Sequence, residues 1–265
     1  MIRATLCRAL AALLVLAGAA CAARPDAVDT ASDVNDPAEP ANRGIFAANM
    51  FIDRHAVKPV AQAYHDWLPQ PVRDGVHNMV TNLGEPVVLV NDLLQANPGP
   101  AWVTARRFVI NSTAGGLGVF DLAADWDLPH HKADFGQTFG VWGIGEGPFV
   151  ELPLLGPSNA RDAVGTAFTF LASPFNYFGG AAVTYVGYAK VGVETVDQRA
   201  GVLAPLDELE RNSVDFYAAL RSLNHQRREA LIAEGKSPGG HTGHIEVIPR
   251  IDAPDDGPET KEPDK

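Results

Sequence analysis

Cysteine is nearly absent: Cys7 and Cys21 are the only two in 265 residues, and both lie in the first 21. The body therefore has neither a disulfide framework nor a thiolate metal cluster. Positive charge is scarce as well. The formal net charge is −11, and −13 once Arg3 and Arg8 go with the leader, which speaks against nucleic acid as a partner. Alternating strand patterns are few, with Phe149 to Leu152 and Ile245 to Ile248 the only short candidates. No nucleophile elbow, Walker A loop or H-E-x-x-H zinc helix occurs. Gly143-Ile144-Gly145-Glu146-Gly147 has Pro148 where the last glycine of a dinucleotide fingerprint would stand, without a clear βαβ unit around it. His130-His131 and the His241/His244 pair lack further ligands for a metal. On these grounds no enzyme, cofactor or metal site is expected.

What the chain does have begins with a leader. Arg3 and Arg8 form a basic start, Ala9 to Ala17 a short apolar run, and Gly18-Ala19-Ala20 a small-residue site before Cys21. This pattern reads as a bacterial secretory signal over 1–20. Two readings of Cys21 stand: acylation as the first residue of a mature lipoprotein, which is favoured, or ordinary cleavage nearby. The acidic, proline-bearing stretch over 21–41 suits a flexible tether, and 236–265 reads as a disordered acidic tail.

Between them, 42–235 reads as one helical domain. Ile45, Ala48, Ile52 and Ala56 share a helical stripe, and Pro59 is expected to break or restart that helix. Val72, Val76, Met79, Val80 and Leu83 predict a buried face behind Pro71. Shorter helices are expected over Val87 to Leu94 and Trp102 to Asn111, the second with Arg106 and Arg107 paired to carboxylates or reaching a boundary. Ser158 or Asn159 is placed to cap a helix buried through Val164, Ala167, Phe168 and Leu171. Ala181 to Arg199 reads as a helix, and Pro205 as the start of a long last one.

Two stretches stand apart. Asp134 to Asp162 is rich in glycine and large apolar groups, so it builds a shaped surface. Ala163 to Ala189 runs 27 residues without a charged side chain, although Pro174, Asn176 and Gly179-Gly180 interrupt it. It reads either as lipid-facing helix surface or as an ordinary core.

Asp36-Pro37, Asn42-Arg43, Asn82-Leu83-Gly84-Glu85-Pro86, Asn91-Asp92-Leu93-Leu94-Gln95, Asp134-Phe135-Gly136-Gln137-Thr138, Leu152-Pro153-Leu154-Leu155-Gly156-Pro157-Ser158 and Arg161-Asp162 resemble the MlaA (VacJ) family of outer-membrane lipoproteins. That resemblance implies an all-α, ring-shaped domain in the periplasmic leaflet of the outer membrane, with an amphipathic channel. It further implies phospholipid as cargo, a trimeric porin as neighbour and the periplasmic carrier MlaC as recipient. Asn111, Ser112, Thr113, Asp134, Gln137, Thr138 and Arg161 are the candidate channel residues, and Gly143 and Gly145 the candidate gate. The alternative for the glycines is tight packing and turns. A porin-associated scaffold and a periplasmic lipid hydrolase stand as the other functional classes.

Overall fold

The computed structural model describes residues 34–173 and 181–237. The leader, Cys21, Pro174, Asn176, Gly179-Gly180, the His241/His244 pair, the expected Ile245 to Ile248 strand and the acidic tail after Ser237 lie outside them.

Prolines open the first five α-helices among the described residues: α1 (Glu39–Ile52), α2 (Lys58–Trp67), α3 (Gln70–Asn82), α4 (Glu85–Leu94) and α5 (Pro98–Thr113) each carry one in the first two positions. There the missing N–H is no loss and the fixed φ suits the helix. Pro59 does not break the chain's helical path. The residues before it widen into a π turn, Asp53–Val57, and the Lys58 N–H bonds the Asp53 carbonyl five residues back. The folded body also begins before Asn42, inside the stretch expected to be tether. Asp36 is held by Asn42 Nδ2 at 2.7 Å, by Arg221 Nη1 at 2.9 Å and by the Tyr217 hydroxyl, and α1 starts three residues later.

A 3-10 turn, Ala124–Trp126, precedes α6 (Phe135–Val141) and α7 (Ala160–Ala172). Asp134 caps α6 by accepting from the Gln137 N–H, and Asn159 caps α7 by accepting from the Asp162 N–H. The two helices meet at paired glycines: a methyl on Gly165 would lie 2.2 Å from the Gly136 backbone nitrogen, so neither position admits a side chain. Between the helices, β1 (Phe149–Leu152) pairs antiparallel with β2 (Gly156–Asn159), Phe149 opposite Asn159. The first strand is the expected one, whereas the second carries no strand signal of its own. Asn42 and Asn49 on α1 hold this hairpin through the Phe149 and Leu152 carbonyls and the Glu151 and Leu154 amides.

The last described elements are α8 (Ala181–Gly201), α9 (Leu203–Asn212) and α10 (Phe216–Lys236). The single long helix expected from Pro205 is two, because Ser213 turns extended and Asp215 caps a new start by accepting from the Ala218 N–H. The fold is thus helical with one small hairpin among the described residues.

Burial runs opposite to the usual order. The largest fully buried side chains are all polar, namely Arg107, Gln137, Glu85, Glu151, Asn91, Thr104, Thr138 and Asp92. Bulky apolar groups point outward instead, including Trp67, Trp102, Phe120, Leu154, Tyr185 and Tyr188. Two expected core stripes are therefore corrected. Of the α3 stripe only Val80 is buried, with Val72 half exposed, and on α7 Phe168 and Leu171 are half exposed while Arg161, Asp162 and Gly165 face inward. Polar side chains thus share the interior with a smaller apolar set that includes Phe135, Phe149, Tyr217 and Leu231. Among the described residues, no helix is long and apolar enough to cross a membrane.

Candidate functional site

Helical spacing sets out the centre of the polar interior. Thr104, Arg107 and Asn111 recur on one face of α5, and all three are buried. Glu85 and Asp92, seven apart on α4, face them. Arg107 Nε donates to Glu85 Oε1 at 3.1 Å and Nη2 to Asp121 Oδ2 at 2.7 Å, and Nη1 donates to the Leu128 carbonyl. Asn111 Nδ2 donates to Asp121 Oδ1 at 2.8 Å, and Asn111 Oδ1 accepts the Ala123 N–H at 3.0 Å. Asp92 accepts from Thr104 Oγ1 at 2.7 Å and lies 2.9 Å from His131 Nε2. Of the two arginines singled out in the sequence, Arg107 is paired to carboxylates while Arg106 is exposed.

A cavity of about 530 Å³ opens beside this network, lined by His77, Asn78, Thr81, Arg107, Asp121, Ala124, Asp127, Pro129 and His130. Its volume lies in the range of small-molecule sites. Desolvation works to raise the Asp121 carboxyl, but hydrogen bonds from Arg107 and Asn111 bring it below its ordinary value, so it is ionised at neutral pH. Burial pushes His130 down, against the pull of Glu85, and keeps it neutral there. The loop that walls the cavity exposes Leu117, Phe120 and Trp126. A polar chamber thus adjoins an apolar rim.

The candidate channel residues do not form one lining. Asn111 belongs to the Arg107 network. Gln137 and Thr138 are fully buried in a directional relay: Gln95 Nε2 donates to Thr138 Oγ1, which donates to Asn91 Oδ1, while Gln137 Nε2 donates to the Leu231 carbonyl. Asp134 and Arg161 sit in a second charged cluster around Arg228 and Asp162. There Asp134 pairs with Arg228, and Asp162 with both arginines. Ser112 accepts from Asn82 Nδ2 at 3.0 Å, and Thr113 is exposed, bonding its own helix. Gly143 and Gly145 occupy an exposed loop where an added methyl would meet nothing within 4 Å. That loop is tied down by the Arg161 N–H on the Glu146 carbonyl and by His225 Nδ1, 3.0 Å from Glu146 Oε2.

Glu85, Asp92, Asp121, His130 and Arg228 were not picked out from the sequence as site residues. One signal existed for the first: an arginine set between apolar neighbours needs a carboxylate close by, and Glu85 stands in a motif already singled out.

The MlaA lipoprotein family matches residues 34–231. Among individual relatives, the intermembrane phospholipid transport system lipoprotein MlaA of Escherichia coli K12 is 35% identical over 205 residues, covering 76% of this chain and 79% of that one. The protein of the same name in Haemophilus influenzae is 31% identical over 236 residues, covering 88% and 92%. A solved structure described as the structural basis for maintenance of bacterial outer membrane lipid asymmetry superposes with a TM-score of 0.66 at 33% identity, covering 74% of this chain and 98% of the other. The chain belongs to the MlaA lipoprotein family.

Proposed function

We propose that this protein removes misplaced phospholipid from the outer leaflet of the outer membrane and hands it to the periplasmic carrier MlaC. In this reading it lies as a ring of helices in the periplasmic leaflet, beside a trimeric porin and anchored by an acylated Cys21. The observation that carries the reading is the inversion of burial: Arg107, Glu85 and Asp92 inside, Trp67, Trp102 and Phe168 outside. In water such an exterior would forfeit about 25 cal/mol for every Å² of apolar surface left uncovered. In hydrocarbon that loss disappears, and the polar interior becomes a path. A headgroup crossing hydrocarbon without hydrogen-bond partners meets a barrier of at least several kcal/mol. The chamber beside Arg107 supplies partners while Leu117, Phe120 and Trp126 offer apolar contact to acyl chains. No bond needs to be made or broken. Deleting the gene in its host and assaying outer-leaflet phospholipid together with detergent permeability tests the proposal. A rise in both, reversed by the intact gene, is the expected result, and unchanged outer-leaflet lipid would leave only a scaffold role beside the porin.

A further inference from the structure

We propose that the cavity beside Arg107 discriminates phospholipids by headgroup charge and favours an ammonium-bearing headgroup over a purely anionic one, an inference that rests on the lipid-handling reading above. A phosphate entering this cavity would seek the Arg107 cation. All three nitrogens of the Arg107 guanidinium are engaged, by Glu85, Asp121 and the Leu128 carbonyl. The guanidinium is 2 % exposed and already paired with two carboxylates, so it offers little to a phosphate. Around that one locked cation stand three carboxylates, Glu85, Asp121 and Asp127.

Asp127 differs from the other two. It is exposed on the cavity wall, and its carboxylate carries no hydrogen bond or ion pair among the described residues. The histidines do not redress the balance. His130 is held neutral by burial, and His77 Nδ1 lies 2.7 Å from Asp197 Oδ2, so a proton on that ring would be matched by a carboxylate. The groups left to greet a ligand are therefore mainly acceptors: the Asp127 carboxylate, the Asn78 amide oxygen and the Thr81 hydroxyl. A primary ammonium presents three donors and a positive charge, which suits that set. An anionic headgroup would meet a surplus of negative charge with no available cation.

The test uses the full-length lipoprotein reconstituted in nanodiscs holding equal amounts of phosphatidylethanolamine and phosphatidylglycerol. After detergent exchange, the lipid retained by the protein is quantified by mass spectrometry. The expected result is a roughly fivefold excess of phosphatidylethanolamine, the ratio that one screened charge contact near 4 Å supplies. Asp127→Asn, which tolerates the left-handed backbone at this position (φ 55°), brings the ratio toward one, and Asp127→Lys reverses it. Retained lipid without headgroup bias in the native protein, or a bias unchanged in Asp127→Lys, overturns the inference while leaving lipid handling intact. No retained lipid at all overturns the lipid-handling reading and this inference with it.

Discussion

Arg228 on α10 bonds both carboxylate oxygens of Asp134, the residue that caps α6: Nη1 lies 2.7 Å from Oδ2 and Nη2 2.9 Å from Oδ1. Its Nε reaches Asp162 Oδ2 at 2.7 Å. One guanidinium thereby joins the last helix to α6 and α7. Desolvation works to raise the Asp134 carboxyl, but Arg228 brings it below its ordinary value.

Among the described residues, removing that guanidinium leaves the buried Asp162 carboxylate with only Arg161 as an ion-pair partner, and Asp134 with none within ion-pair distance. Arg228→Ala is expected to destabilise the fold by about 3 kcal/mol, toward the low end for a broken buried pair because Asp134 is partly exposed. Arg228→Lys should recover only part of this, since it keeps the charge and loses the fork. Chemical unfolding in detergent measures both. Because the Asp134 pKa is depressed in the fold, its contribution is complete above its ordinary value and is lost as pH falls through the lower, folded one. The difference between wild type and Arg228→Ala should therefore shrink in strong acid.

Much of this architecture was legible before the fold was known. Asn159, one of the two candidates for capping α7, is its cap, and proline marks helix starts as its missing donor requires. The direction of the helix faces was not legible. A 3.6-residue period locates an apolar stripe, but it cannot say whether that stripe meets a core or a lipid, and so Phe168 and Leu171 read as a buried stripe inside a run, Ala163 to Ala189, that also reads as lipid-facing. The strand Gly156–Asn159 has no β-branched or aromatic residue, and it forms because β1 and the Asn159 cap hold it on both sides. The Glu85–Arg107–Asp121 network was only half visible. Its members come from two helices and a loop, and only the folded chain brings them within hydrogen-bonding distance.

The hairpin carries a pH-sensitive contact. Glu151 is buried, accepts from Asn49 Nδ2 at 2.9 Å through Oε1, and has no hydrogen-bond partner at Oε2. Burial pushes its carboxyl up from 4.5 to about 7, against the hydrogen bond from Asn49. A raised carboxyl pKa means that the stabilising contribution is full below 4.5 and is lost as pH climbs through about 7. Hydrogen-exchange protection of the hairpin amides should accordingly fall over that window. Glu151→Gln should flatten the dependence and protect the hairpin at pH 8; an equal fall in the variant would show that another group titrates.

Glycines of the central stretch divide into two kinds. Gly136 and Gly165 lie at the close approach of α6 and α7, and Gly165→Ala must push the helices apart, so reduced folded yield is expected. Gly145 has open space around it, and Gly145→Val should express and reach the membrane normally. If the loop it occupies gates lipid passage, this variant still impairs removal of outer-leaflet phospholipid. Normal removal would make the loop's glycines architectural.

The absence of cysteine after Cys21 permits single labels anywhere in the body, and this gives the most direct measurement of the inverted arrangement. Spin labels at Trp102→Cys, Phe168→Cys and Tyr188→Cys would report on the exterior, and one at Asn78→Cys on the cavity, in the full-length protein within nanodiscs. Collision rates with oxygen, which concentrates in hydrocarbon, and with a water-soluble nickel complex separate the two environments. The expected result is that the three outer labels collide with oxygen and are shielded from nickel, and that the Asn78 label shows the reverse. Outer labels as accessible to nickel as an unfolded chain, with the cavity label dry, would contradict it.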